Sequence, residues 1–390
     1  MTDTTASAAA PSQSESSPLG KKDVAIKLFA RTDVGQVREH NEDNFLVADL
    51  SKRQRGIQEG SRVVSVGKNG NLLAVCDGMG GAAAGEVASQ LAVDIIYEKM
   101  TEDISPDAQL TRNELARRLV RAVEAAGLRI FEAAKNDRTR RGMGTTVTAA
   151  ALVDDHLFLA QVGDSRGYIL RDGTLVQVTR DQSLVNQLIE AGQLTEEEAE
   201  TFEHNNIILQ ALGTAETVQV DLTYAELKRG DVLMLCSDGL SGMVRNDEIR
   251  EVLKATPEPF DSCKTLIDRA NLAGGHDNVT VIVAQFDGEA LQPLAPGAEP
   301  LKYRKYSLPE EPTDPARKAI PTPGALTPPS DGQTAAASAA PAAATSAPWP
   351  SPSEEERIEI PGTHVPASVV VALILGVIAL LAGTAFLLLR

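Results

Sequence analysis

The chain has 390 residues and a formal net charge of −17; 43% of its residues are hydrophobic, 23% charged and 4% aromatic. That balance excludes a wholly disordered or collagen-like polypeptide and leaves room for one large domain or two small ones with a real core. The acidity argues against a nucleic-acid binder, but not against phosphate chemistry, because carboxylates can hold the cations that bind phosphate.

The first 22 residues are mostly Ser, Thr, Ala and Gln, too poor in apolar anchors to offset chain entropy, and are expected to be disordered. No basic segment leads into an apolar run there, so no signal peptide is expected. Residues 23–287 have a globular composition. Ile26, Leu28 and Ala30 alternate with polar neighbours as in a half-buried strand, and Asn71 to Cys76 reads as a buried strand ending at Asp77-Gly78. Helical spacing of apolar residues follows over Glu86 to Met100 and Leu115 to Ala134. Short strands are predicted over 145–153, 156–162, 166–170 and 174–178, with Asp154-Asp155 and Asp172-Gly173 at hairpin turns. Helices over 182–191 and 196–204, strands over 218–225, 232–237 and 279–286, and helices over 247–253 and 262–272 complete the domain. Many antiparallel strands with a few long helices imply an α+β layered sandwich, not a parallel doubly wound sheet.

Residues 288–366 are rich in Pro, Ala, Ser and Thr and read as a linker whose ends lie on the order of 50 Å apart. Residues 367–389 carry no charge and, at about 1.5 Å per residue, are long enough to cross a hydrocarbon core of about 30 Å. They read as a C-terminal transmembrane helix. Three cysteines, Cys76, Cys236 and Cys263, cannot build a disulfide framework and point to a reducing compartment. With no signal peptide expected, the long N-terminal part is expected to be cytoplasmic and held to the membrane by a single pass.

Acidic residues recur beside glycine or at strand ends: Glu42-Asp43, Asp77-Gly78-Met79-Gly80-Gly81, Gly163-Asp164-Ser165-Arg166, Ser237-Asp238-Gly239 and Gly274-Gly275-His276-Asp277-Asn278. Any one Asp-Gly is most simply a turn, and Asp172-Gly173 is such a case. Five clusters at strand ends are hard to assign to turns alone. If the strands lie in stacked sheets, several of these ends meet at one rim, where carboxylates repel one another unless cations hold them. Oxygen donors without a His or Cys cluster favour Mg²⁺ or Mn²⁺ over Zn²⁺. Two such ions can activate water and clamp a phosphoryl group.

These motifs, with Arg38-Glu39-His40-Asn41 ahead of Glu42-Asp43 and with Gly142-Met143-Gly144-Thr145-Thr146, appear in an order that resembles the metal-dependent protein phosphatases, the protein phosphatase 2C or PPM family, in its bacterial branch. The resemblance covers about residues 24–287. It implies a four-layer αββα sandwich of two antiparallel sheets flanked by helices, and a Mn²⁺ or Mg²⁺ centre of two ions, with a third in bacterial members. Asp77 would bridge both ions. Asp43 and the Gly78 carbonyl would complete one site with Glu42 alongside, Asp238 and Asp277 would hold the other, and Asp164 would join Asp238 at the third. Arg38 matches the family's phosphate-binding arginine, whose fork suits a phosphate monoester.

The implied activity is hydrolysis of phosphoserine and phosphothreonine in proteins, opposing Ser/Thr kinases at the membrane; phosphorylated proteins are the expected partners. No covalent phosphoenzyme is needed, and Cys76 and Cys236 lie in apolar strand runs that suit packing. The sequence departs from the animal members at Met79, where they carry a histidine that protonates the leaving group. Met cannot do this, so His40, with His276 behind it, becomes the candidate general acid. Residues 181–214 resemble the family's variable flap and are expected to influence substrate choice. The competing function is a catalytically dead scaffold, which the full set Asp43, Asp77, Asp238 and Asp277 argues against.

Overall fold

The structure is a computed structural model and describes residues 24–309 apart from 57–62, 82–83, 105–108, 201, 203–205 and 296. The expected disordered N-terminus, most of the linker and the apolar segment 367–389 lie outside the described residues. No helix among the described residues is long and apolar enough to cross a membrane.

In chain order, β1 (Ala25–Asp33), β2 (Asn44–Asp49), β3 (Gln54–Arg55), β4 (Val63–Ser65), β5 (Asn71–Cys76) and β6 (Gly78–Met79) precede α1 (Ala84–Thr101), α2 (Arg112–Asn136) and a 3₁₀ turn (Arg138–Arg140). Then come β7 (Gly144–Thr145), β8 (Val147–Val153), β9 (His156–Val162), β10 (Arg166–Arg171), β11 (Thr174–Gln177), α3 (Leu184–Glu190) and α4 (Glu196–Glu200). The domain closes with β12 (Asp221–Glu226), β13 (Val232–Cys236), α5 (Asp238–Ser241), α6 (Asn246–Ala255), α7 (Pro259–Leu272) and β14 (Val279–Asp287).

Two six-stranded sheets carry the fold, ordered β11-β10-β13-β14-β1-β4 and β12-β9-β8-β5-β2-β3. Every pairing within them is antiparallel. Alternate side chains of each strand go to opposite faces. On β5, Leu73 and Val75 join Ile26, Leu28, Leu235 and Ile282 between the sheets. Leu72, Ala74 and Cys76 turn the other way, onto Ala92, Ile96, Leu119 and Val123 of α1 and α2. On the far side, Met234, Cys236, Val281 and Val283 pack against Ile249, Val252, Leu266 and Ile267 of α6 and α7. Three apolar layers therefore separate four layers of secondary structure: helices, sheet, sheet, helices. All six residues of β5 are buried, which is why its sequence is continuously apolar from Leu72 to Cys76 rather than alternating.

Several elements differ from their sequence reading. The stretch expected as one strand over 145–153 is broken at Thr146, whose N–H bonds Asp77 O at 2.8 Å instead of a sheet partner. Strand β2, next to Asp43, was not foreseen from sequence, nor was the single-turn helix α5 that opens with Asp238. The stretch expected as linker from 288 begins with ordered chain. Residues 297–309 run back along β12 as a strap: Tyr224 N donates to Arg304 O at 3.1 Å, and Tyr306 N donates to Leu222 O at 2.8 Å. Tyr306 stands edge-on to Phe158 and to Tyr224, with ring centres 5.0 and 5.2 Å away. The strap thus covers the open edge of one sheet, an edge that would otherwise offer unpaired backbone groups.

Candidate active site

The carboxylates singled out by sequence stand at strand ends and at the turns beside them. Asp43 directly precedes β2, Asp77 joins β5 to β6, Asp164 sits between β9 and β10, Asp238 opens α5 after β13, and Asp277 precedes β14. Adjacent antiparallel strands place these ends at one rim. The side chains feel one another there: Asp77 is affected by Asp43, Asp238 and Asp164, and Asp43 by Asp238 and Asp277.

Hydroxyls and one amide fix the loops that carry the acids. Ser237 Oγ donates to Asp43 Oδ2 at 2.7 Å and accepts from Thr280 N at 2.9 Å, so the turn before α5 is tied to the start of β2. Thr146 Oγ1 accepts from Asp77 N at 3.1 Å and pairs with Ser165 Oγ at 2.7 Å, joining the Asp77 turn to the Asp164 turn. Buried Asn278 organises the loop leading to Glu42. Its Nδ2 donates to Val34 O and to His40 O, each at 2.9 Å, and its Oδ1 accepts from Glu42 N at 2.8 Å. Sequence reasoning gave Ser237, Thr146 and Asn278 no role. The available signal was a side chain able to donate or accept beside each acid, which is weak because Ser, Thr and Asn also suit ordinary turns.

Two close approaches require glycine. A Cβ on Gly78 would stand 2.3 Å from Gly85 O and 2.4 Å from Glu42 O, so the three backbones meet with no room for a side chain. Gly163 has φ +101°, and a Cβ there would lie 2.6 Å from Thr146 Cγ2; this turn delivers Asp164.

Burial and mutual repulsion set the electrostatics. Desolvation raises Asp43 to about 8, against the hydrogen bonds from Ser237 and Thr280 that favour its charged form. Desolvation and Asp238 raise Asp164 to about 7. Asp77 lies well above the ordinary carboxylate range because it is buried among Asp43 and Asp238. Asp43 and Asp164 are only 7% and 8% exposed, yet Asp43 Oδ1, Asp164 Oδ1 and Asp238 Oδ1 are buried without any hydrogen-bond partner. Orphaned, buried carboxyl oxygens are costly in an ordinary fold, and hard divalent cations, by favouring the charged form, suit such oxygens. The donor set therefore fits Mn²⁺ or Mg²⁺. As the side chains stand, no three His, Cys, Asp or Glu among the described residues are drawn together tightly enough to hold an ion. Asp277 is taken up by Arg38.

Arg38 Nη2 donates to Asp277 Oδ2 at 2.7 Å, with the Arg38 side chain 51% exposed. Asp277 raises the Arg38 pKa, and Glu42 and Asp77 add to it. The guanidinium is thus held at the rim by the acids it faces, with one edge open to solvent. Glu42 lies beside the first turn of α1, close to Gly85, and burial raises its pKa. His40 is exposed and its carbonyl, not its ring, is the atom bound to Asn278. His276 is exposed beside Gly274. Met79 pairs with Gly144 across β6 and β7. Cys76, Cys236 and Cys263 are buried and free. Burial pushes Cys76 up strongly and Cys236 and Cys263 up to about 12, so none supplies a thiolate nucleophile.

The rim of this two-sheet α+β sandwich thus gathers buried, unpartnered carboxyl oxygens beside an arginine, a donor set suited to divalent cations. The model of the protein phosphatase 2C family matches residues 56–273. The serine/threonine phosphatase stp of Listeria monocytogenes is 37% identical over 257 residues, 66% of this chain and 94% of that protein. The serine/threonine protein phosphatase PstP of Mycobacterium tuberculosis is 38% identical over 278 residues, 70% of this chain and 48% of that protein. A crystal structure of M. tuberculosis PstP superposes with a TM-score of 0.57 at 38% identity, covering 67% of this chain and 99% of that one. Its catalytic domain in complex with two manganese ions superposes with a TM-score of 0.55 at 38% identity, covering 68% of this chain and 99% of that one. The chain belongs to the protein phosphatase 2C family.

Proposed function

We propose that the chain removes phosphate from phosphoserine and phosphothreonine in proteins at a membrane, opposing Ser/Thr kinases there. The enzyme class is that of its relatives: a metal-dependent Ser/Thr protein phosphatase. The observation that carries the assignment to this rim is the set of buried oxygens of Asp43, Asp164 and Asp238 without hydrogen-bond partners.

Asp77, Asp43, Asp238 and Asp277, with the Gly78 carbonyl and Glu42 alongside, are the proposed holders of two ions, Mn²⁺ or Mg²⁺, and Asp164 with Asp238 of a third. When bound, the ions supply an activated water and neutralise charge on the phosphoryl oxygens. Arg38 lets go of Asp277 and turns its fork to two oxygens of the phosphate, orienting the phosphorus and taking up developing negative charge. Ser237, Thr146 and Asn278 hold the acid-bearing loops in register, which limits reorganisation during the reaction. His40, on the exposed rim, donates the proton that the serine or threonine oxygen needs on leaving. The membrane reading rests on residues 367–389, which by length and apolarity suit a single span. With it go the domain limits 1–22, 23–287, 288–366 and 367–389, the catalytic part facing the cytoplasm. Ordered residues 297–309 support extending the catalytic unit beyond 287.

The test is phosphate release from a phosphothreonine peptide by the full chain, with and without Mn²⁺, beside Asp238→Asn. Mn²⁺-dependent release, reduced on the order of 10²- to 10³-fold in the variant, is expected. Folded, Mn²⁺-loaded wild type that releases nothing would point to the phosphoprotein-binding scaffold instead.

A further inference from the structure

The only three arginines in any run of four residues lie between α2 and β7: Arg138-Thr139-Arg140-Arg141. The turn that holds them is closed at both ends. Asp137 Oδ1 accepts from Thr139 N at 2.9 Å, and Met143 N donates to Arg140 O at 3.1 Å. Met143 is completely buried and anchors the segment. Arg138 and Arg141 are exposed, and among the described residues neither side chain has a hydrogen bond or ion pair; Arg140 stands 3.3 Å from Asp137.

The turn borders the site. It feeds β7, where Gly144 pairs with Met79 and Thr145 with Gly78. Thr145 Oγ1 donates to Asp77 O at 2.8 Å. A Cβ on Gly80 would lie 3.3 Å from Met143 Cα, so the residue that anchors the arginine turn lies against the Asp77–Gly81 loop. A cationic edge compensated only at Arg140, by Asp137, is unexpected beside this rim in a chain of net charge −17, where acids are abundant enough to neutralise it. An arginine turn serving solubility alone would have no reason to sit at the rim. Clustered arginines recognise carboxylates and phosphates, and exposed cations at a mouth steer anionic partners toward it.

We propose that Arg138, Arg140 and Arg141 form a docking rim for acidic side chains flanking the phosphoserine or phosphothreonine of the substrate protein. The proposal rests on the phosphatase reading. Its contribution falls on substrate capture, because the arginines grip residues that do not change charge in the reaction. Exposed ion pairs are individually weak, so removing two cations lowers affinity about 3- to 10-fold, less so at high salt.

The experiment compares wild type with Arg138→Ala/Arg141→Ala, full chain with Mn²⁺. Binding is read by fluorescence anisotropy of non-hydrolysable phosphonate peptides with Glu or with Ala on both flanks. Turnover is read separately on p-nitrophenyl phosphate. Tighter wild-type binding of the Glu-flanked peptide, lost in the variant while small-substrate turnover is unchanged, supports the rim. Equal binding of both peptides by wild type, or a preference kept by the variant, overturns it. Phosphatidylglycerol vesicles that displace no peptide yet lose binding to the variant also overturn it, in favour of a lipid contact. Because anisotropy needs no catalysis, absent turnover on p-nitrophenyl phosphate counts against the phosphatase reading and leaves the binding result to decide the rim.

Discussion

Asn278 joins three backbone groups of the loop from Val34 to Glu42 with one side chain. Replacing it with Ala removes three part-buried hydrogen bonds, a loss of about 1–3 kcal/mol. Asn278→Ala should therefore lower the urea midpoint and also loosen Arg38 and Glu42, so that activity falls even where the protein remains folded; chemical denaturation and turnover measured together check both. The acids themselves predict a pH dependence. Burial raises Asp43 from 3.8 to about 8 and Asp164 from 3.8 to about 7. A carboxyl with a higher pKa folded than unfolded stabilises fully below its unfolded value, and that stability is lost as pH rises through the folded value. The melting temperature of metal-free protein should thus fall between about pH 4 and pH 8, and Mn²⁺ should restore it most at the upper end, by binding the charged carboxylates. A metal-free melting curve that is flat or rises over that range would count against the buried acid cluster. The acid types were legible as a set, because five Asp-bearing turns at strand ends exceed what turns need. Their fixing partners were not, since Ser237, Thr146 and Asn278 act across 194, 69 and more than 200 residues of sequence separation.

At the scale of elements, strongly apolar strands were readable from their own residues: the bounds expected for β5 and β9 match the structure. Helix ends were set by local chemistry that apolar spacing does not report. Thr111 and Glu114 form a reciprocal capping box that starts α2 at Arg112, ahead of the first apolar position, and Pro259 opens α7. Short β6, β7 and α5 carry almost no periodic signal, and their positions are imposed by contacts around Asp77 and Asp238. Composition misled most at the strap. Residues 297–309 are rich in charge and proline, yet Tyr306 packs on Phe158 and Tyr224. Tyr306→Ala should cost about 1–3 kcal/mol, from lost area and edge-to-face ring contacts. A chain ended at 290 should melt several degrees below one ended at 309. Equal melting temperatures by calorimetry would show the strap to be a bystander.

At the scale of the whole molecule, the two sheets do one thing for the site: they bring strand ends that are distant in sequence to one rim and hold the acids there against their repulsion. A single sheet would spread these ends along an edge. If ions bind these acids as proposed, they should offset the cost of gathering them, so metal binding and folding are expected to be coupled. The most direct test is Mn²⁺ uptake by the folded protein, measured by equilibrium dialysis on the full chain and on Asp77→Asn, with circular dichroism confirming the fold of each. Two tightly bound ions in the wild type, with at least one lost in the variant, are predicted. Folded wild type that takes up no Mn²⁺, or a variant that binds as many ions as the wild type, would contradict the account.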